Sequence, residues 1–198
     1  LGNPMLPVYR GEIQCRGLGM AVESFNLNGE YDINQKGELV CKIAFPSMPI
    51  YFWNDEKGEK YYQAYFSTYP NIWHHGDYIL INDHGGIIIY GRSDATLNPG
   101  GIRIGTAEIY RVVDKFSEVS DSLVVGQEWD EDERIILFII LSANKKLTNE
   151  LINKIRLTIK KSCSPRHVPA KIIAIDDIPY TISGKKVEIA VKKIINGE

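Results

Sequence analysis

The chain has 198 residues, 44% of them hydrophobic and 24% charged, which suits one large or two small soluble domains. Its 23 basic and 25 acidic residues leave a net charge of −2, so nothing electrostatic points to nucleic acid or an anionic membrane. Cys15, Cys41 and Cys163 match no metal spacing and fit a reducing cytoplasm, and no apolar run approaches the roughly 20 residues of a membrane span.

At the start, Leu1-Gly2-Asn3-Pro4 lacks an initiating Met and any secretory leader, and reads as a beginning inside a longer protein. Residues 1–50 are punctuated by Gly11, Gly17, Gly19, Asn28-Gly29 and Lys36-Gly37, with short runs at 19–25 and 38–45. Asn-Gly between two such runs predicts a hairpin. Residues 46–75 are rich in aromatics, including Tyr51, Phe52, Trp53, Tyr61, Tyr65 and Trp73. Residues 76–81, 83–86 and 86–90 then read as strand, turn and strand. Residues 1–92 therefore suggest a partial β-barrel or the tail of a larger α/β domain.

After residue 93 the pattern changes. Ala107, Ile109, Tyr110, Val113 and Phe116 have helical spacing, with Thr106 as the expected N-cap. Residues 121–127 and 134–141 read as strands joined by an acidic loop at 128–133. Leu151, Ile152, Ile155 and Ile159 form the stripe of a helix over 148–162, with Thr148 at a capping position. A third strand at 170–175 and a last helix at 187–195 complete the set. This order predicts a small α+β domain with a three-stranded central sheet and helices on one of its faces.

Three groups of residues are candidates for chemistry. In Trp73-His74-His75-Gly76-Asp77, the carboxylate follows a glycine at a strand end, where open sheets present ligand contacts. A carboxylate accepting two vicinal hydroxyls holds a nucleoside sugar; the same Asp also suits a turn, capping a backbone N–H. Arg92 follows one hairpin later, a separation that can return the chain beside Asp77. In the stretch from Gly91 to Tyr110, Asp94 sits in a polar turn and Arg103 stands alone. Between them Gly100-Gly101 lack side chains where a backbone must turn or approach something closely. Finally, Pro179-Tyr180-Thr181-Ile182-Ser183-Gly184-Lys185-Lys186 places a lysine at the end of a glycine loop, an arrangement equally at home in plain solvent.

These same residues resemble the adenylate-forming superfamily, which contains acyl-CoA synthetases, peptide-synthetase adenylation domains and luciferases. Gly-Arg-Ser-Asp at 91–94 resembles its hinge. Gly76-Asp77 resembles its ribose-binding carboxylate, and Pro-x-Thr-x-Ser-Gly-Lys at 179–185 its mobile catalytic lysine. Arg10-Gly11-Glu12-Ile13-Gln14, Tyr65-Phe66-Ser67-Thr68-Tyr69, Leu97-Asn98-Pro99-Gly100-Gly101 and Pro165-Arg166-His167-Val168-Pro169 are most similar to the acetoacetyl-CoA synthetase branch. The resemblance covers essentially all 198 residues but only the C-terminal portion of such an enzyme. The upstream phosphate loop and acyl-pocket motifs are not in this sequence.

The resemblance implies a boundary at Asp94. Residues 1–93 would end the large nucleotide-binding domain, and 94–198 would form the small mobile domain, with Asp94 as the hinge. Asp77 and Arg92 would bind the ribose, and Arg103 the adenylate phosphate. Lys185 would stabilise charge at the α-phosphate. Gly100 and Gly101 would line the path of the pantetheine thiol, and the basic cluster of Lys160, Lys161 and Arg166 would hold the phosphates of coenzyme A. The alternative for that cluster is a solvated helix end, where cations are favoured. The implied function is AMP-forming acid–CoA ligation, with acetoacetate as the acid and ATP, coenzyme A and the rest of the parent chain as partners. Mg2+ is expected with ATP, with no ligands among these residues. Two other readings stand beside it: an adenylation domain that loads a carrier protein, and a non-catalytic α+β module that binds a partner.

Overall fold

In the structure, a computed structural model that describes residues 2–198, the chain divides into two units, Leu1–Ser93 and Asp94–Glu198. In the first unit, strands β1 (Val22–Phe25), β2 (Lys36–Cys41), β3 (Trp73–Ile81) and β4 (Ile87–Arg92) pair antiparallel in the order of the chain. Ile13 bridges to Ile87 and extends the sheet beyond β4. One face is apolar because Val22, Ile79, Ile81 and Ile87 alternate inward and bury together.

The Asn28-Gly29 turn forms, with Gly29 at φ 76° and the Gly29 N–H donating to Asn26 O. It closes only the Phe25–Tyr31 bridge; β2 resumes five residues later, after a second turn with Asn34 at φ 63°. The aromatic stretch holds a helix that the sequence reading did not include, α1 (Glu59–Tyr65). Its rings meet Trp73 of β3: Tyr65 stacks on the indole at 3.7 Å and Phe66 meets it edge-on.

The second unit is built on β5 (Val119–Trp129), β6 (Asp132–Leu141) and β7 (Lys171–Ala174), in the order β5-β6-β7. β5 and β6 are antiparallel; β6 and β7 are parallel. The helices are α2 (Thr106–Val113), α3 (Asn149–Ser162) and α4 (Glu188–Ile195). Thr148 caps α3, its side chain accepting the Leu151 N–H at 3.2 Å.

Three expectations change here. The residues at 128–133 are not a loop: Asp130 and Glu131, at φ 54° and 59°, make a two-residue turn that continues the ladder on both sides. The N-cap of α2 is Gly105, whose N–H donates to the Glu108 carboxylate at 3.1 Å, so Thr106 is the first helical residue. Helices also cover both faces of the sheet. Val124, Ile135, Leu137 and Ile139 pack with α2 and α3, while Leu123, Val125 and Ile136 pack with Ile178 and, on α4, Val191 and Ile195. Consecutive apolar residues in β5 and β6 demand this, since each adjacent pair points to opposite faces. No helix of the described residues is long and apolar enough to cross a membrane.

Candidate functional site

In the first unit the chain returns where the hairpin length requires. Asp77 on β3 lies directly opposite Arg92 on β4, and Arg92 Nη1 is 3.8 Å from Asp77 Oδ1. The same guanidinium donates to the His75 carbonyl at 3.3 Å. The Trp73 indole N–H donates to His75 Nδ1 at 3.3 Å, which leaves the proton of that ring on Nε2. His75 Nε2 in turn lies 3.5 Å from Asp77 Oδ2. Each Asp77 oxygen therefore faces one donor, while its side chain keeps 21% exposure, enough to meet a ligand.

Gly76 makes this possible. Its φ is +80°, and a Cβ there would stand 2.9 Å from Arg92 Nη2, so only glycine lets the guanidinium lie across the strand. Below the pair, the buried carboxylate of Glu38 is satisfied by His74 Nε2 at 3.0 Å and by the Ser93 hydroxyl. Ser93 is the last residue of the first unit, so this network fixes the strand end from which the chain leaves. In the sequence His75 stood within the Trp73–Asp77 stretch without a role of its own, and Glu38 was not singled out.

In the second unit, Leu97 and Ile104 exchange both backbone hydrogen bonds, closing a small hairpin with Pro99–Gly101 at its tip. Gly100 and Gly101 have φ of +60° and +74°, as turn glycines should. The tip is held from two sides. Asp132 accepts the Gly100 N–H at 2.8 Å and Glu133 accepts the Asn98 N–H at 2.6 Å; the Gly100 N–H, and after it the Glu133 N–H, hold the Asp132 carboxyl below its usual range. From the other side Arg166 Nη1 donates to the carbonyls of Pro99 and Gly100 at 3.4 and 3.2 Å. The structure thus brings Arg166 to Gly100. Lys160 stays exposed in the last turn of α3, and its side chain makes no hydrogen bond or ion pair among the described residues. Arg103 is partly buried at the base of the hairpin, and Asp94 is exposed in a turn at the start of the unit.

Lys185 sits on a second tight loop. Tyr180 and Lys186 form its bridge, Thr181 N–H donates to Lys185 O at 2.8 Å, and Lys185 N–H returns to Thr181 Oγ1 at 3.0 Å. The two adjacent lysines differ sharply. Lys186 is half-buried and tied to Asp121 at 2.8 Å. The Lys185 side chain is exposed and contacts no acid among the described residues.

No family model matches the chain. Individual proteins do. It is 55% identical over 197 residues to an acetoacetyl-coenzyme A synthetase of Rhizobium meliloti (strain 1021), covering 100% of the chain and 30% of the relative. An acetoacetyl-CoA synthetase of Danio rerio is 56% identical over 198 residues, covering 99% of the chain and 29% of the relative. The solved acetoacetyl-CoA synthetase from Streptomyces lividans superposes with a TM-score of 0.93 at 42% identity, over 98% of this chain and 29% of that one. Over its whole length the chain is similar to acetoacetyl-CoA synthetases. It corresponds to their C-terminal part and spans about 30% of the length of the curated relatives it matches. The anthranilate CoA ligase AuaEII, solved in complex with anthranoyl-AMP, shares the fold at a TM-score of 0.82 and 19% identity, over 96% of this chain and 36% of that one. The fold therefore persists after most side chains have changed.

Proposed function

We propose that these residues are the C-terminal part of a cytoplasmic acid–CoA ligase that joins acetoacetate to coenzyme A. In the first half-reaction, an oxygen of the acid bonds to the α-phosphorus of ATP and pyrophosphate leaves. In the second, the thiol sulfur of coenzyme A bonds to the acyl carbon, the thiol gives up its proton and AMP leaves. One observation carries the reading: end-to-end likeness, at 55% identity, to an acetoacetyl-CoA synthetase.

The geometry supports roles for particular residues. Asp77, with both oxygens facing donors rather than bonded to them, accepts the ribose hydroxyls, and Arg92 and His75 orient it. Arg103 meets the adenylate phosphate and Lys185 places a cation against charge developing at the α-phosphorus. Asp94 is the pivot between the two units. Gly100 and Gly101 offer bare backbone to the thiol arm of coenzyme A. Lys160 and the remaining N–H groups of Arg166 attract its phosphates. Mg2+ would arrive with ATP. Among the described residues no group of three or more His, Cys, Asp or Glu side chains is placed to hold a metal.

The test is the reaction of the full-length enzyme, which adds the N-terminal portion its relatives carry. Acetoacetate-dependent exchange of pyrophosphate into ATP, followed by CoA-dependent release of AMP, is the expected result. A second step that requires a carrier protein instead of coenzyme A supports an adenylation domain. No exchange with any short carboxylic acid overturns the enzyme reading.

A further inference from the structure

Asp121 holds the loop that carries Lys185 by both of its legs. Period-2 alternation puts Asp121 on the same face of β5 as Leu123 and Val125, the face along which residues 178–187 run and in which Ile178 is buried. The ladder slips between Val119 and Asp121, a bulge of the kind that re-aims a side chain at the end of a strand. One carboxylate oxygen of Asp121 takes the Lys186 ammonium at 2.8 Å, and the other accepts the Tyr180 hydroxyl. Lys186 also donates to the Ser122 carbonyl at 2.6 Å and lies 4.6 Å over the Tyr110 ring. Tyr180 and Lys186 are the bridged pair at the loop's base, and the Val187 N–H donates to Pro179 O just below, at 3.1 Å.

The tip of the loop cannot orient itself. Ile182 is fully exposed and Lys185 is exposed, so no packing of the tip sets its direction. The local hydrogen bonds through Thr181 shape the turn but do not aim it. What aims it is the base, and among the described residues Asp121 is the side chain bonded to both residues of that base. The clamp is strong by its chemistry. Burial alone would raise the Asp121 carboxyl, yet its bonds from Lys186, Tyr180 and the Ser122 N–H hold it below its usual range. The Tyr180 hydroxyl, bonded to that anion, is pushed up to about 12.

We propose that Asp121 is a positioning residue for the adenylating step: by clamping Tyr180 and Lys186 it fixes the direction in which Lys185 leaves the small domain. Lys186 is the anchor and Lys185 the working cation, which is why two neighbouring lysines have opposite surroundings. The inference rests on the assignment of Lys185 to that step.

A double-mutant cycle on Lys185 and Asp121 in the full-length enzyme tests it. Asp121→Asn is expected to lower acetoacetate-dependent ATP–pyrophosphate exchange about tenfold or more, through a misplaced cation. The thioester step from supplied acyl-adenylate stays within about twofold. In a Lys185→Ala background Asp121→Asn causes no further loss, because Asp121 acts only through Lys185. Tyr180→Phe, which deletes one hydroxyl from an exposed ring, gives a smaller loss with the same non-additivity, and serves alone if Asp121→Asn does not fold. Full additivity of either variant with Lys185→Ala overturns the positioning role, as does equal loss in both half-reactions or unchanged exchange in both variants. If Lys185→Ala itself leaves exchange intact, the assignment of Lys185 fails instead, which separates the two claims.

Discussion

Asp77 and Arg92 stand directly opposite each other across the β3–β4 ladder, with Nη1 3.8 Å from Oδ1. That spacing is too long for a hydrogen bond, so Arg92 attracts the carboxylate by charge while its side chain stays partly exposed. Removing it with Asp77→Ala should weaken ATP and AMP binding by the full-length enzyme. Charge-assisted hydrogen bonds are worth roughly 1.5–3 kcal/mol each, so a loss of about tenfold or more is expected. Calorimetric titration reads it directly, and unchanged affinity in a folded variant contradicts the ribose role.

Gly76→Ala probes the same pair from the backbone. The left-handed conformation costs a residue with a Cβ about 1–2 kcal/mol, and at φ +80° the new methyl would also press on Arg92 Nη2. Urea unfolding should show the loss in stability, accompanied by weaker nucleotide binding. A variant as stable as the parent, with the same nucleotide affinity, means that the chain does not hold this conformation at Gly76.

Much of this arrangement was legible in the sequence, and the exceptions have physical causes. Strand β3, the turn and β4 are marked by apolar runs around Asp83-His84-Gly85, and that hairpin length allowed the meeting of Asp77 and Arg92 that the ladder shows. Helix α1 was missed because it is seven residues long, buries no residue completely and has only Gly58, itself left-handed, at its start. The Asp130-Glu131 turn was read as a loop because its residues are not the usual Asn-Gly pair. The second helical face was missed because α4 has no fully buried residue to announce it. Arg166 was grouped with Lys160 by sequence proximity, whereas its bonds run to Pro99 and Gly100, more than sixty residues away. Asp121 carries no motif at all; only the fold brings Tyr180 and Lys186 to it.

A pH-dependent staple fastens the segment near Ile13 to the β3–β4 turn. His84 Nε2 lies 2.8 Å from Glu12 Oε2, which also accepts from Asn82 at 3.0 Å. The bond to Glu12 raises the His84 pKa above 6.5, and the bonds from His84 and then Asn82 lower that of Glu12 below 4.5. A raised histidine stabilises fully below its unfolded value and loses that contribution as pH rises through its folded value. A lowered carboxylate stabilises above its unfolded value and loses that contribution as pH falls through its folded value. The staple is therefore strongest between these limits. His84→Ala should shift the urea midpoint more at about pH 5.5 than at about pH 8; equal shifts at both contradict the pairing.

Asp94→Pro tests the pivot. Proline fixes φ near −65° and removes one torsion at the start of the second unit. Thioester formation should fall more than adenylation, because a chain held in the adenylating arrangement still makes the intermediate. Stopped assays of each half-reaction separate the two, and equal losses rule out Asp94 as the hinge.

The most direct test of the whole account is the pair of half-reaction rates of Lys185→Ala in the full-length enzyme. On the proposed reading Lys185, an exposed cation on a loop of the second unit, serves the adenylating step and not the thioester step. Loss of one such electrostatic stabiliser costs on the order of 10²–10³ in rate. The account predicts that loss in acetoacetate-dependent ATP–pyrophosphate exchange, with near-normal turnover of supplied acetoacetyl-adenylate and coenzyme A. Equal loss in both steps would contradict the two-arrangement mechanism, and normal rates in both would return Lys185 to the solvated end of a glycine loop.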